Sequence, residues 1–253
     1  MQSIQHSLPS RLQAMKALLR ADATVQLRQP SSSIMSVLIP LFFLFAWRNL
    51  IASRGATGIL AGCISVGLPS IGLMGYALVI SRDRELGVFR RLRITPCSTW
   101  MFMASRCLVQ LGLMIAMALV TVAAALLVIN VHIGPADVLK LLLAVLISGP
   151  VFISLGLLIV ALFMGTETVS SATRMIYIAI LVLGILSETM SKDSPWLVVA
   201  QWSPVGVTRV ILANALDSGS LGLQTIYPIA AAFAYIALFG SIGIIGFRWT
   251  SSN

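Results

Sequence analysis

Charged residues are scarce in this chain. Only 10% of its 253 residues are Asp, Glu, Lys or Arg, whereas 58% are hydrophobic, and the mean hydropathy is +0.97. Soluble domains usually contain about 25% charged residues, so a chain with this composition cannot cover its own surface in water. The composition excludes an ordinary soluble protein and predicts an integral membrane protein.

Histidine and cysteine are scarce as well, with two and three residues respectively. His6 and His132 are predicted to lie on opposite sides of the membrane, so they cannot share a zinc ion. Cys63, Cys97 and Cys107 lack ligand-like spacing and are interpreted as buried or free thiols. The sequence contains no Gly-Lys pair, which excludes the phosphate-binding motif GxxxxGK[ST]. We therefore expect neither a metal site nor a nucleotide site of this kind in the chain.

Long apolar runs are abundant instead. Six of them approach or exceed the roughly 18–20 residues that cross a hydrocarbon layer about 30 Å thick. They cover about residues 33–53, 57–81, 106–131, 137–163, 173–188 and 225–247. We expect an all-α, polytopic membrane protein in which residues 1–253 form a single transmembrane domain with six spans.

The net charge of +9 has a topological explanation. Six spans place both termini on the same side of the membrane, and twelve of the 17 basic residues fall on that side. Because cytoplasmic loops are enriched in Lys and Arg, both termini are predicted to be cytoplasmic. We expect a multi-pass membrane protein with this orientation. The charge gives no reason to expect nucleic-acid binding.

Two further segments have amphipathic character. Residues 8–28 place four apolar residues on one helical face and point two basic residues away from it, namely Leu8, Leu12, Met15, Leu19, Lys16 and Arg20. This pattern predicts a helix lying on membrane lipid, and an ordinary solvated N-terminal helix is the alternative. Residues 187–222 are too polar to span and too apolar for a simple loop. They predict short re-entrant helices in the outer leaflet.

The densest charge cluster lies at residues 82–96, between the second and third predicted spans. Apolar residues recur there at three- and four-residue spacing, which predicts a short basic amphipathic helix on the cytoplasmic side. The residues that could bind a partner protein are Glu85, Leu86, Gly87, Phe89, Arg90, Arg91, Leu92, Arg93, Thr95 and Pro96. From the pattern alone, this helix is either a docking element or a positive anchor that orients the neighbouring spans.

A family resemblance rests on the motif Glu85-x-Gly87-x-x-x-Arg91-Leu92-Arg93-x-Thr95-Pro96. It resembles a loop of type-2 ATP-binding-cassette (ABC) transporter permeases, closest to the daunorubicin-resistance-like branch of drug and antibiotic exporters. The order of interfacial helix, six spans and outer re-entrant helices is similar too. The resemblance implies that residues 82–96 form a coupling helix that inserts into a separate ABC ATPase subunit, present in two copies. It also implies a second permease copy or homologue, with ATP and Mg²⁺ bound by the ATPase.

The predicted span interiors contain mostly mild polar residues. Gln110, Asn130 and Tyr177 are candidates for a substrate path, with interhelical hydrogen bonding as the alternative. The scarcity of intramembrane charge counts against an ion-coupled secondary transporter. No convergent catalytic side chains indicate a membrane-embedded enzyme. Under the family resemblance, the expected function is export of a lipophilic drug, antibiotic or lipid-like molecule, with polysaccharide or glycolipid export as the nearest alternative.

Replacing Glu85 or Arg91 with Ala should reduce transport and leave membrane insertion intact, because each change removes a charge that would orient the coupling helix on its partner. Membrane fractionation measures insertion, and efflux of cargo measures transport. Normal transport by both stably expressed variants would contradict the coupling role.

Overall fold

A computed structural model describes residues 11–28, 30–88, 99–129, 133–189, 195–217 and 223–247 of the chain. All regular elements within these ranges are helical, which confirms the predicted all-α class for this part of the chain. Leu8, Asn130 and the predicted coupling residues from Phe89 to Pro96 lie outside these ranges.

The helices are numbered in chain order. The first half contains α1 (Arg11–Leu27), α2 (Pro30–Ala46), a 3-10 turn (Arg48–Leu50), α3 (Ile51–Arg54), α4 (Ala56–Pro69), a π-helical turn (Ser70–Gly75) and α5 (Tyr76–Glu85). The second half contains α6 (Thr99–Val128), α7 (Pro135–Leu162), α8 (Thr166–Thr189), α9 (Pro195–Trp202), α10 (Pro204–Leu216) and α11 (Leu223–Gly246). The core lies around α4, the π-helical turn and α7, with α10 packed against α4 and α7 and with α11 packed along α7.

The described residues contain five helical segments that are long and apolar enough to cross a membrane. They are Ala56–Glu85, Trp100–Val128, Pro135–Leu162, Thr166–Leu186 and Thr225–Gly246. Two bent pairs raise the possible number to seven: Ile34–Ala46 with Arg48–Arg54, bent by 48°, and Pro195–Trp202 with Pro204–Leu216, bent by 80°. The first pair corresponds to the first predicted span, and the second lies in the predicted re-entrant segment. Six spans therefore stay a prediction, within this range of five to seven.

The helix boundaries differ from the apolar runs at one end of the bundle. The second predicted span ends at 81, but its helix continues to Glu85, and the fifth begins at Thr166 instead of 173. The third begins at Thr99 instead of 106. At the second and fifth spans polar residues extend the helix beyond its apolar stretch, whereas the residues added to the third span are mostly apolar. Hydropathy alone marks the apolar stretch and misses these additional turns.

The second span changes its helical type near its middle. Pro69 has no backbone N–H to continue the α-helical hydrogen bonding, and the six residues that follow it form the π-helical turn. The buried Ser70 hydroxyl donates to the Gly67 carbonyl at 2.7 Å, so this polar group is satisfied within the turn. Such turns usually insert one additional residue into an otherwise α-helical segment.

Glycines let the second span approach α7 closely. A Cβ on Gly72 would lie 2.8 Å from the Phe152 Cβ, and a Cβ on Gly156 would lie 2.9 Å from the Gly72 carbonyl oxygen. The pair Gly58 and Gly62 has the G-x-x-x-G spacing typical of close helix packing. However, a Cβ on Gly58 would have no described atom within 4 Å. Among the described residues, Gly72 and Gly156 thus form a tight contact between the second span and α7, which the motif does not indicate.

Ser203 connects α9 and α10. Its hydroxyl accepts a hydrogen bond from the Gly206 N–H at 3.1 Å and donates to the Ala200 carbonyl at 2.6 Å. Pro204 occupies the first turn of α10, where its missing N–H costs little. α10 buries an apolar face against α4 and α7, so this part of the predicted 187–222 re-entrant segment belongs to the packed core.

α1 is the described part of the predicted interfacial helix, and it packs on α6. Lys16 and Arg20 are exposed, as expected, and Met15 and Leu19 are partly buried. Leu12 is 67% exposed. The placement of α1 on a membrane surface stays a prediction.

Replacing Gly156 with Val should destabilise the fold by about 1–3 kcal/mol, the usual cost of overpacking a filled core. Its new Cβ would meet the Gly72 carbonyl oxygen, a backbone atom that cannot move aside easily. Gly112→Val on α6 is the matched control, because a Cβ there meets no described atom within 4 Å. Thermal melting of the purified chain in detergent compares the two. Equal melting temperatures for Gly156→Val and the wild type would contradict the close approach.

Candidate coupling site at the end of the second span

Three consecutive charged residues, Asp83, Arg84 and Glu85, end α5. Successive residues of an α-helix point about 100° apart, so three in a row can reach three different neighbours. Each of them contacts a different part of the bundle. We call this group the charged turn.

Asp83 belongs to a buried ion-pair cluster that joins three helices. The Nη2 atom of Arg106 on α6 lies 3.1 Å from Asp83 Oδ2, and its Nε lies 3.4 Å from Oδ1 of Asp22 on α1. The Ser105 hydroxyl also donates to Asp22, at 2.5 Å. The side chains are only 12% exposed for Arg106, 12% for Asp83 and 6% for Asp22. Two carboxylates thus share one guanidinium group.

Charge attraction contributes more to this cluster than aligned hydrogen bonds do. Arg106 Nε and Asp83 Oδ2 are buried and have no well-aligned hydrogen-bond partner among the described residues. The Phe102 ring lies 5.1 Å from the Arg106 guanidinium carbon, a distance at which the ring face attracts a cation. Removing the guanidinium would leave two carboxylates buried side by side, so Arg106 holds the cluster together.

Arg84 binds the carboxyl end of α7. Its Nη1 donates to the Val160 carbonyl and its Nη2 to the Phe163 carbonyl, both at 2.8 Å. These carbonyls belong to the last turn of α7 and the residue after it, where helices leave acceptors without partners and where a cation is favoured. Arg84 is only 4% exposed. It therefore serves as a buried cap for α7.

Glu85 binds the amino end of α8. Its Oε1 accepts a hydrogen bond from the Thr166 N–H at 2.5 Å. A carboxylate is favoured at this end of a helix, because the first N–H groups have no partners within it. Gly165, just before Thr166, has a φ of +82°, which glycine adopts without strain. Ser81 and Thr166 also lie within hydrogen-bond distance, with their hydroxyl oxygens 3.3 Å apart.

The charged turn consequently ties α5 to α6, α7 and α8, and through Arg106 to α1. The predicted coupling segment, residues 82–96, includes this turn and continues beyond it. Leu86 is 70% exposed, and Gly87 has a φ of +66°, so α5 ends here in a left-handed glycine. Residues 82–85 of the predicted coupling segment complete α5, and the coupling role of the segment stays a prediction. The predicted coupling residues from Phe89 onward lie outside the described ranges.

Two predicted substrate-path residues are buried, but they lie on different helices. Gln110 on α6 is 3% exposed, and its side chain borders a cavity of about 90 Å³ between α1, α2, α6 and the π-helical turn. Tyr177 on α8 is 9% exposed and does not line that cavity. Gln110 Oε1 and the Tyr177 hydroxyl both lack a hydrogen-bond partner among the described residues. Interhelical hydrogen bonding, the alternative interpretation, is thus not observed for these two atoms.

Comparison with known proteins identifies the family of the chain. A family model described as "ABC-2 type transporter" matches residues 13–216. The chain belongs to the ABC-2 type transporter family. The match extends from α1 through α10, so it includes the charged turn and Arg106. No individual curated protein matches the sequence.

Family membership confirms the predicted type of permease. The chain is the membrane-spanning permease component of an ABC transporter and not its ATPase domain. Most of the contacts of the charged turn were not predicted from the permease sequence. Asp22 is the only acidic residue in segment 11–28, whose other charged residues are basic. This lone carboxylate is the feature of the sequence that could have indicated a buried ion pair. No sequence signal indicates which carbonyl or N–H groups Arg84 and Glu85 bind.

Replacing Arg106 of the permease with Ala should destabilise the fold by about 3–5 kcal/mol, because it leaves Asp22 and Asp83 buried without their cation. Arg174→Ala removes the same charge from an exposed position on α8 and should change stability little. Thermal melting in detergent measures both variants. The triple change Arg106→Met, Asp22→Asn, Asp83→Asn should recover much of the loss. Equal stability of Arg106→Ala and Arg174→Ala would contradict the ion-pair cluster.

Proposed function

We propose that this permease is the transmembrane subunit of an ATP-driven exporter, coupled through residues 86–96 to a separate ABC ATPase. The observation that carries the proposal is the charged turn, which joins the start of that segment to four helices of the bundle. The ATPase binds ATP and Mg²⁺ and is present in two copies. A second permease copy or homologue completes the transporter.

The charged turn supplies a route for a mechanical stroke. A force on the exposed Leu86 acts on the end of α5, and the Asp83, Arg84 and Glu85 contacts pass it to the adjoining ends of α1, α6, α7 and α8. Packed helices move as rigid bodies, so a small displacement at this end changes the contacts along the whole bundle. ATP-driven closure of the ATPase pair would thereby rearrange the interface between two permeases, where the cargo passes.

The composition of the bundle supports a lipophilic cargo. The core around the second span and α7 is almost entirely apolar, and the buried polar groups of the described spans are mostly hydroxyls and one amide. A lipophilic drug, an antibiotic or a lipid-like molecule fits such a path better than a charged metabolite does. The resemblance to the daunorubicin-resistance-like branch supports outward transport of this cargo. Polysaccharide or glycolipid export is the nearest alternative.

An ion-coupled carrier is the second candidate, because the chain does contain buried carboxylates. Asp22 and Asp83 are both buried, and buried acidic residues are typical of proton or ion pathways. However, both are paired with Arg106 at one end of the bundle, whereas ion-coupled carriers usually bind near the middle of the membrane. Membership of an ABC family also favours ATP coupling.

The orientation follows from the distribution of basic residues. The end of the bundle that carries the charged turn also receives most of the lysines and arginines in the six-span arrangement, which supports a cytoplasmic position for this end and for both termini. The transporter is accordingly proposed to lie in a bacterial inner membrane with its coupling segment facing the cytoplasmic ATPase.

Leu86→Asp should abolish ATP-driven export while leaving the fold unchanged, because Leu86 is 70% exposed and contributes little to the core. Leu86→Met keeps the apolar bulk and is the matched control, which should export normally. This position separates coupling from folding more cleanly than Glu85, which also caps α8.

The measurements are co-purification of an ABC ATPase with the chain, vanadate-sensitive ATP hydrolysis by the complex, and efflux of a lipophilic dye from cells. Leu86→Asp should lose the ATPase partner or its cargo-dependent hydrolysis. Wild-type efflux by Leu86→Asp would contradict the coupling site. Efflux driven by a proton gradient without any ATPase would favour the ion-coupled carrier instead.

A further inference from the structure

A cavity of about 250 Å³ lies at the same end of the bundle as the charged turn, on the other side of α6 from α1. Side chains from the second span, from the start of α6, from α7 and from the end of α11 enclose it. The lining residues are Tyr76, Trp100, Met103, Ala104, Cys107, Leu157, Ile244 and Phe247.

The lining chemistry excludes a polar ligand. The polar side-chain atoms in the lining are the Tyr76 hydroxyl, the Cys107 thiol and the Trp100 indole N–H. Tyr76 and Cys107 contact each other at 3.7 Å, and the Tyr76 hydroxyl also contacts the Met103 sulfur at 3.7 Å. The Tyr76 hydroxyl and the Cys107 thiol are thus already in contact with other lining atoms. A sugar, an ion or a peptide would lose its hydration here and gain few hydrogen bonds in return.

The size of the cavity sets the size of its ligand. An engineered cavity of about 150 Å³ holds one benzene molecule, and pockets for drug-sized ligands occupy about 300–1,000 Å³. A volume of about 250 Å³ falls between these limits. The cavity therefore accommodates a stretch of hydrocarbon but not a whole drug-sized molecule. An alkyl chain longer than the cavity could therefore bind with only part of its length inside.

The exposure of the lining residues shows where such a chain enters. Trp100 is 60% exposed and Ile244 is 45% exposed, whereas Tyr76 is 2% and Phe247 is 5% exposed. The entrance accordingly lies between the start of α6 and the end of α11, and the floor lies against the second span. In a membrane, the Trp100 indole is suited to the headgroup boundary, with the apolar interior beyond it.

We propose that this cavity binds an unbranched alkyl chain that enters from the adjacent membrane leaflet. The leaflet is the cytoplasmic one under the proposed function, and only this part of the inference rests on that proposal. Two sources supply the same chemistry, namely the acyl chain of a resident phospholipid and the alkyl tail of a single-chain amphiphilic cargo. Both would place the chain beside Met103 and Cys107, with the polar head at Trp100.

Photolabelling of the full-length chain tests the proposal. The chain is reconstituted in nanodiscs of diphytanoyl phosphatidylglycerol, whose branched chains differ from those of the probes, and illuminated with one of two probes, a phosphatidylcholine or a palmitic acid carrying a diazirine in its chain. We expect saturable cross-links to residues 100–107, mapped by mass spectrometry, that an excess of the unmodified probe removes. Labelling by phosphatidylcholine alone identifies a resident lipid, and labelling by palmitic acid alone identifies a single-chain cargo.

Ala104→Phe fills the cavity and should weaken probe binding by about tenfold, since excluding two or more methylene groups removes about that much affinity. Ala123→Phe on the exposed side of the same helix is the matched control and should bind as the wild type does. Equal saturable labelling in Ala104→Phe and Ala123→Phe would overturn the proposal. Labelling spread evenly over the lipid-facing surface of α6 would overturn it too.

A second measurement avoids dependence on the folding of Ala104→Phe. In a chain with Cys63→Ala and Cys97→Ala, Cys107 is the remaining thiol, and the unmodified palmitic acid or phosphatidylcholine should slow its alkylation by N-ethylmaleimide. An unchanged alkylation rate at saturating amounts of both would contradict a chain in the cavity. Neither measurement requires an ATPase or transport, so loss of the export function would leave this result intact, and the reverse holds as well.

Discussion

The ion pairs of Arg106 constrain the arrangement of everything around them. Burying a guanidinium and two carboxylates has a large desolvation cost, which is offset only while all three remain in contact. α1, the end of the second span and the start of α6 must therefore keep one relative position. The apolar faces of these helices could slide past one another at little cost, whereas the charges cannot. The cluster thus selects one packing among many similar apolar ones.

Much of the fold could be predicted from the sequence, because hydrocarbon imposes simple rules on a chain. Apolar runs of sufficient length predicted the helical class and the approximate positions of the spans, and the motif that begins at Glu85 indicated the family. The contacts that define the candidate site could not be predicted in this way. Whether Glu85 binds a partner or the Thr166 N–H depends on how two distant helix ends meet. Likewise, Gly156 and not Gly58 lies at the tight contact, which depends on the rotation of each helix.

The start of α6 combines two kinds of chemistry on opposite faces. One face carries Ser105 and Arg106, which bind α1 and the second span through charge, and the other carries Met103 and Cys107, which line the apolar cavity. A helix turn that is rigid on one side and in contact with hydrocarbon on the other would respond to both a partner protein and the membrane. Under the proposed function and the proposed alkyl-chain site, lipid composition and ATPase binding are expected to influence each other.

The π-helical turn Ser70–Gly75 determines which residues of the second span's end face which neighbour. Winding the same residues as an uninterrupted α-helix would rotate everything downstream by about 100° relative to α4, because the π-helical turn accommodates one additional residue. Arg84 would then turn away from the carbonyls of α7, and Asp83 away from Arg106. The π-helical turn therefore sets the helical register of α5. In this register Asp83 points at Arg106, and Arg84 points at the carbonyls of α7.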